Sequence, residues 1–164
     1  MIQKTILEII EEEGTIFQNR EVFSLDYIPE NYKFRDVQLK RMAVYSKDIK
    51  EGKAPTNLLL TGTYGTGKTT TLKKFFELIE KKYPYVKTAH VNCGIHRTEY
   101  IVLTKIYKEL FGKSHKIDGL SSFSIYEAII KKIVNDDYIL IIALDDYNFL
   151  KISNEFNKLL HTML

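Results

Sequence analysis

Gly62-Thr63-Tyr64-Gly65-Thr66-Gly67-Lys68-Thr69 is the stretch that decides the fold of this 164-residue chain. It fits the pattern G-x-x-x-x-G-K-[ST], in which a glycine-rich backbone cradles phosphate oxygens. The apolar residues 57–60 before it predict a short buried strand, and residues 70–82 after it predict a helix. Strand, glycine-rich loop and helix in this order are the context in which the pattern becomes a phosphate-binding loop.

The residue types in the loop are those that phosphate binding requires. The glycines allow backbone conformations that point N–H groups inward at an anion, and the helix that follows adds its dipole. Lys68 supplies a positive charge for the β- and γ-phosphates, and Thr69 offers a hydroxyl to Mg²⁺. The residues predicted to contact a nucleotide here are Gly62, Thr63, Tyr64, Gly65, Thr66, Gly67, Lys68, Thr69 and Thr70.

A second apolar run, residues 138–144, ends in two acids, Asp145 and Asp146. Such a continuous run predicts a strand buried on both faces of a parallel sheet. Because ligands of open α/β sheets bind beyond the carboxyl ends of the strands, these acids should meet the phosphate loop. We predict that Asp145 holds Mg²⁺, mainly through a water, and that Asp146 orients the attacking water. Two acids that simply end a core strand at the surface are the alternative.

The rest of the chain alternates helices with strands. Predicted helices cover residues 1–13, 36–50, 99–111, 124–134 and 154–164, with a capping box from Ser124 to Glu127. Residues 86–91 predict a further strand, and residues 19–34 predict an irregular arm. This order indicates a three-layer α/β/α domain with a parallel sheet.

Composition narrows the function classes. A hydrophobic fraction of 45% and a charged fraction of 27% are ordinary for a soluble globular chain, and a net charge of +3 is too small to indicate nucleic acid by itself. The longest apolar run, residues 138–144, is too short to span a bilayer, so no membrane partner is expected. The single cysteine suits a reducing cytoplasm. His90, Cys93 and His96 lack a clear fourth ligand, so we do not predict zinc.

Segments on both sides of the loop narrow the prediction further. They are Asp26-Tyr27-Ile28-Pro29-Glu30, Arg35-Asp36 and Gln38-Leu39 upstream, and Asn92-Cys93 and Leu144-Asp145-Asp146 downstream. Over residues 19–164 the chain resembles the origin-recognition and Cdc-type replication initiators, a clade of AAA+ ATPases. The resemblance implies that ATP or ADP binds with Mg²⁺. It also implies that Tyr27, Ile28 and Pro29 line the adenine pocket and that Arg35 lies near it.

The resemblance implies partners as well. Initiators of this clade load onto double-stranded origin DNA with a winged-helix domain and with an inserted helical motif, which here would fall in residues 97–121. That stretch is given a basic character by Lys105, Lys108, Lys113, His115 and Lys116. A solvated helix and loop is the alternative interpretation of this charge. An oligomer that supplies an arginine finger, and a cytoplasmic, nucleoid-associated location, are further implications.

Two departures from the family matter. The family usually has Asp-Glu where this chain has Asp145-Asp146, so the second carboxylate should stop about an ångström short of the water, which can cost on the order of 100-fold in rate. We therefore predict an ATP-bound switch with slow or partner-dependent hydrolysis, in which Lys68 and Asp146 are the catalytic candidates.

The second departure is that the sequence stops at Leu164, before the family's sensors, lid and winged helix. Also beyond that point would be the strand that inserts between the acidic strand and the phosphate-loop strand. We expect residues 1–18 to form an amphipathic arm and residues 19–164 a partial AAA+ domain, as a fragment or a natural truncation. Direct pairing of the two strands, as in P-loop kinases, is the alternative.

Three other functions fit parts of the pattern. A STAND-type signalling ATPase, or a related P-loop switch, would be indicated by a repeat-rich region downstream. A P-loop kinase usually needs basic residues in a lid, and residues 148–164 offer only Lys151 and Lys158. A nucleotide-binding scaffold that does not hydrolyse ATP would be indicated by a lack of turnover.

Overall fold

A computed structural model of the chain describes residues 19–24, 27–29, 34–112 and 114–151. The chain divides into two units, Met1–Tyr32 and Lys33–Leu164. The described part of the first unit contains the short 3₁₀ turn Glu21–Phe23. The predicted helices 1–13 and 154–164 lie outside the described residues.

The described part of the second unit contains four α-helices and two β-strands. The helices are α1 (Asp36–Tyr45), α2 (Lys68–Lys82), α3 (Glu99–Phe111) and α4 (Ser122–Asn135), and the strands are β1 (Val86–Asn92) and β2 (Ile139–Asp145). Two 3₁₀ turns, Lys47–Glu51 and Tyr147–Phe149, accompany them. Among these described helices, none has the length and apolar character needed to cross a bilayer.

The two strands are parallel, with a register that runs from Val86 opposite Ile139 to Asn92 opposite Asp145. Side chains alternate between the faces of a sheet, and the core is divided accordingly. One cluster packs α3 and α4 against Ala89, Val91, Leu140, Ile142 and Leu144. The other packs α1 and α2 against Val86, Ile139, Ile141 and Ala143. The predicted three-layer α/β/α architecture is thereby confirmed.

The predicted strand 57–60 is not formed. These residues belong to no ladder, and Leu59 is 73% exposed. Within the described part of the chain, β1 and β2 make a two-stranded sheet. Direct pairing of residues 57–60 with 138–144 is therefore also wrong. A strand needs a neighbour to take its backbone hydrogen bonds, and residues 57–60 have none in the described residues. For the same reason β2 is half-buried along its length instead of buried on both faces.

The predicted helix 36–50 is divided into two pieces. Helix α1 ends at Tyr45, and the turn Lys47–Glu51 follows with 3₁₀ geometry. The Tyr85 hydroxyl donates to the carbonyl oxygen of Ile49 at 2.7 Å, and the Ile49 side chain is fully buried. This tertiary bond holds the turn against the start of β1, and helical periodicity alone does not reveal it.

Helix α4 begins earlier than the predicted capping box. Its cap is Ser121, whose Oγ accepts a hydrogen bond from the backbone N–H of Ser124 at 3.1 Å. Ser124 is thus inside the first turn, and the prediction that it caps the helix was wrong. Serine is a favourable N-cap at either Ser121 or Ser124, and Ser121 lies at the position where the helix begins.

A side chain on α2 covers part of the edge of β1 that has no partner strand among the described residues. The Tyr85 carbonyl accepts from the Ile139 N–H, and the Cys93 N–H donates to the Asp145 carbonyl. The odd-numbered residues thus face β2, and the even-numbered residues between them point their N–H groups away from it. On that side, Oε1 of Glu80 on α2 accepts from the Thr88 backbone N–H at 2.7 Å and from the Thr88 hydroxyl at 2.8 Å. Unpaired edge groups invite pairing with other chains, and this carboxylate satisfies one of them.

Replacing Glu80 with alanine should lower the free energy of unfolding by about 1 kcal/mol, because the Thr88 N–H and hydroxyl lose their acceptor. Urea denaturation measures the change. Glu77→Ala is the matched control one turn earlier, since Glu77 pairs with Lys74 at 2.9 Å on the surface. That variant should change stability by less than about 0.5 kcal/mol. Equal effects of the two substitutions would contradict the role of Glu80 at the edge of β1.

Candidate functional site

The glycine-rich stretch forms the connection that opens helix α2. Gly65 and Gly67 have φ angles of 74° and 76°, in the left-handed region that favours glycine. Gly67 is the N-cap, so α2 begins at Lys68 and not at the predicted residue 70. The backbone N–H groups of this first helical turn are the ones that bind anions at helix N-termini.

The Lys68 side chain folds back over the loop. Its Nζ donates to the carbonyl oxygens of Gly62 and Thr63, both at 2.9 Å, and lies 5.8 Å from the centroid of the exposed Tyr64 ring. The Thr66 hydroxyl donates to the same Thr63 carbonyl at 2.8 Å. Carbonyl oxygens of the loop therefore hold the Lys68 ammonium group at the surface, where a polyphosphate would compete with them for it.

Arg35 braces the loop from the start of α1. Its Nη2 donates to the carbonyl oxygen of Thr66. This bond joins two segments that are 31 residues apart in the sequence. It places Arg35 at the phosphate loop itself, whereas its predicted position near an adenine pocket stays a prediction.

The loop and the acidic strand end meet at Thr69 and Asp145. The Thr69 hydroxyl donates to Oδ2 of Asp145 at 2.5 Å, across 76 residues of sequence. The same Oδ2 lies 3.3 Å from Nε2 of His90, and the backbone N–H of Asp146 donates to Oδ1 at 3.1 Å. The structure thus brings together the two residues that the sequence assigned to Mg²⁺. A hydroxyl beside a carboxylate is an oxygen donor set that fits Mg²⁺.

The environment of Asp145 favours its charged form. Burial by itself would raise the pKa of this carboxyl group, but the hydrogen bonds from Thr69 and His90 outweigh it and hold the pKa below its ordinary value. Asp145 is therefore ionised at neutral pH, as a ligand of a divalent cation must be.

Asp146 lies where the chain leaves the sheet. It has a left-handed backbone, with φ 53° and ψ 39°, and it begins the turn Tyr147–Phe149. Its carboxylate faces the end of β1, since a Cβ on Gly94 would lie 3.5 Å from Asp146 Oδ2 and 3.1 Å from Asn92 Oδ1. Its role in orienting water stays a prediction.

The other predicted site residues are placed as follows. Thr70 is half-buried in the first turn of α2. Tyr27, Ile28 and Pro29 are half-buried, have no regular secondary structure and belong to the first unit. Their part in an adenine pocket stays a prediction.

His90, which the sequence suggested only as a zinc ligand, lies instead beside Asp145. Cys93 is instead fully buried in the cluster on the opposite face of the sheet, with α3 and α4. Within the described residues, no group of three or more His, Cys, Asp or Glu side chains is arranged to hold a metal ion. The alternation along β1 contained the signal, because His90 shares the face of the strand that is directed towards α2.

Comparison with protein families gives a match over most of the chain. The model described as AAA domain matches residues 51–164. Two relatives are each named ORC1-type DNA replication protein 2. The chain is 33% identical to that of Methanothermobacter thermautotrophicus over 99% of this chain and 43% of the relative. It is 35% identical to that of Methanosarcina mazei over 96% of this chain and 42% of the relative.

Comparison with solved structures also gives ORC-type proteins. The Aeropyrum pernix ORC1 protein, solved in complex with DNA, has a TM-score of 0.72 and 29% identity, and the match covers 89% of this chain and 39% of that one. The A. pernix ORC2 protein, solved as ADPNP-ADP complexes, has a TM-score of 0.72 at 23% identity, which supports the fold alone. The chain spans about two-fifths of the length of the relatives it matches.

Removal of the Thr69 hydroxyl should change how stability depends on pH. A carboxyl group whose pKa is lower in the folded than in the unfolded chain stabilises the folded state. This contribution is fully present above the unfolded pKa, about 3.9, and is lost as the pH falls through the folded pKa. Thr69→Val lowers that contribution, so its deficit in unfolding free energy relative to the parent chain should shrink from pH 7 to acid pH. Urea denaturation across this range measures the deficit.

Thr70→Val is the matched control on the same helical turn, and its effect on stability should not vary with pH. A deficit for Thr69→Val that stays constant down to acid pH would show that the hydroxyl does not set the ionisation of Asp145.

Proposed function

Because the chain belongs to the AAA domain family, and within it to the clade of origin-recognition and Cdc-type initiators, we propose that it binds ATP and ADP with Mg²⁺ as a switch in DNA replication initiation. The observation that carries the proposal is the 2.5 Å hydrogen bond from Thr69 to Asp145, which joins the phosphate loop to the acidic strand end. When bound, Mg²⁺ would neutralise phosphate charge at this point.

The loop supplies the phosphate contacts in this proposal. The N–H groups at the start of α2 and the Lys68 ammonium would bind the β- and γ-phosphates, in exchange for the carbonyls that Lys68 now contacts. Arg35 would keep the loop in shape through Thr66. Tyr27, Ile28 and Pro29 would hold the adenine, as the resemblance to the family implies.

The acidic strand end supports tight binding more than fast cleavage. Asp145 is held by donors on both of its oxygens, whereas Asp146 is one methylene shorter than the glutamate usual in the family. We therefore propose slow hydrolysis in the isolated chain, with faster hydrolysis when an oligomer supplies an arginine finger in trans.

Double-stranded origin DNA is the proposed partner. Helix α3 buries its apolar face, and Lys105 and Lys108 are half-exposed, followed by the exposed His115 and Lys116. These residues offer a basic surface within residues 97–121 that could contact phosphates. Arg97 begins this stretch, and its Nε donates to the Gly94 carbonyl at 2.9 Å. With such a partner, the proposed location is the nucleoid, in the cytoplasm.

Lys68→Ala should abolish nucleotide binding, because it removes the only charged side chain that the loop itself carries. We expect ADP and ATP affinity to fall by on the order of 100-fold or more in a calorimetric titration. Lys81→Ala, an exposed lysine in the last turn of the same helix, is the matched control and should leave affinity unchanged. Unchanged affinity in Lys68→Ala would sink the proposal.

Asp146→Glu should raise ATP turnover by about tenfold to 100-fold, because the longer side chain brings the carboxylate closer to the attacking water. Asp146→Asn is the matched control, as it keeps a side chain that tolerates a left-handed backbone but removes the charge, and it should lower turnover. Both should bind ADP like the parent chain. A turnover that does not rise with glutamate would show that side-chain length is not what limits hydrolysis.

The same assay, run with and without duplex DNA, distinguishes the proposed switch from a nucleotide-binding scaffold. A switch should change its turnover when DNA is added. ADP binding without turnover in either condition would favour the scaffold.

A further inference from the structure

His90 lies on the face of the sheet that meets the phosphate loop. On β1, Val86 belongs to the core cluster of α1 and α2, and alternation puts His90 on the same face. Its register partner on β2 is Ala143, and Asp145 is the next residue of β2 on that face. The side chains of His90 and Asp145 are 20% and 14% exposed.

We propose that His90 is a positioning residue that fixes the orientation of the Asp145 carboxylate for the nucleotide-bound divalent cation. This inference rests on the proposed function, since it concerns the cation that accompanies ATP or ADP. The observation behind it is the 3.3 Å approach of His90 Nε2 to Asp145 Oδ2, the same oxygen that accepts from Thr69.

In the contact between His90 and Asp145, the imidazole is the hydrogen-bond donor. An ionised carboxylate can only accept hydrogen bonds, so Nε2 of His90 has to carry the proton in this contact. Three donors then hold Asp145: the Thr69 hydroxyl from α2, the His90 imidazole from β1, and the Asp146 backbone N–H. Because the three come from separate segments, they fix the rotation of the carboxylate about its Cβ–Cγ bond.

That rotation matters for the cation. Mg²⁺ and Mn²⁺ bind carboxylates and waters in octahedral geometry, and Mg²⁺ tolerates little deviation from it. Groups that orient a ligand from behind commonly change metal affinity by 10-fold to 100-fold when they are removed. A His90 with a purely structural role would instead change stability and leave metal affinity alone.

The test uses the whole chain, ADP, and Mn²⁺ as the probe. Electron paramagnetic resonance of free Mn²⁺ measures the metal affinity of the ADP-bound chain, and calorimetry in EDTA measures ADP affinity without metal. His90→Phe keeps an aromatic ring but removes the donor, and it should weaken Mn²⁺ binding by about tenfold with metal-free ADP affinity unchanged. His90→Gln, whose amide nitrogen can take the place of Nε2, should recover most of the loss.

A second comparison shows whether His90 acts through Asp145. In an Asp145→Asn background, His90→Phe should add no further loss of Mn²⁺ affinity, because the carboxylate it orients is gone. Urea denaturation confirms that each variant is folded at the assay temperature.

Three outcomes would overturn the inference, and they are distinguishable. ADP binding with the same Mn²⁺ affinity in His90→Phe as in the parent chain overturns the role of His90 alone. So does an equal loss in His90→Phe and His90→Gln, which would indicate packing and not hydrogen bonding. Absence of ADP binding by the parent chain overturns the proposed function, and with it this inference.

Discussion

The hydrogen bond between Thr69 and Asp145 is the constraint on which the site depends. In many sheets a loop is held in place because the strand before it is paired, but residues 57–60 belong to no ladder here. The loop is therefore joined to the sheet from its other end. Helix α2 packs Phe75, Phe76 and Ile79 into the cluster that contains Val86, and Thr69 at its first turn bonds the end of β2. Hydrophobic burial fixes the helix, and one short polar contact fixes the register between loop and acid.

Sequence patterns predicted the elements whose signals are local. Helix α3 spans the predicted residues 99–111 and ends at Gly112, because helical spacing and a glycine stop belong to the segment itself. Strand β1 was predicted to within one residue. Residues 57–60 were mispredicted because an apolar run forms a strand only where a neighbour takes its hydrogen bonds. The break after Tyr45 was missed because it depends on Tyr85, which is distant in the sequence.

Part of the candidate site was also predictable from local sequence motifs. Thr69 and Asp145 follow from two motifs and from the rule that the carboxyl ends of parallel strands lie at one edge of the sheet. Their meeting therefore needed no knowledge of side-chain contacts. Arg35 at Thr66 and His90 at Asp145 are different, because each depends on how elements pack or on which residues of two strands are opposite. No single-sequence pattern specifies that register, although alternation along β1 already limited which residues could share the face of the site.

The two adjacent aspartates show how backbone geometry directs neighbouring carboxylates to different places. Asp145 is the last residue of β2, so the pleat directs its side chain to the loop, where donors on both oxygens keep it charged and fixed. One residue later the backbone turns left-handed, and the Asp146 carboxylate is directed to Gly94 at the end of β1. A longer side chain on the same backbone would extend farther from this turn. The strand thus directs Asp145 to the loop by its regular geometry, which supports the proposed cation site, whereas the role proposed for Asp146 depends on the reach of its side chain from the turn.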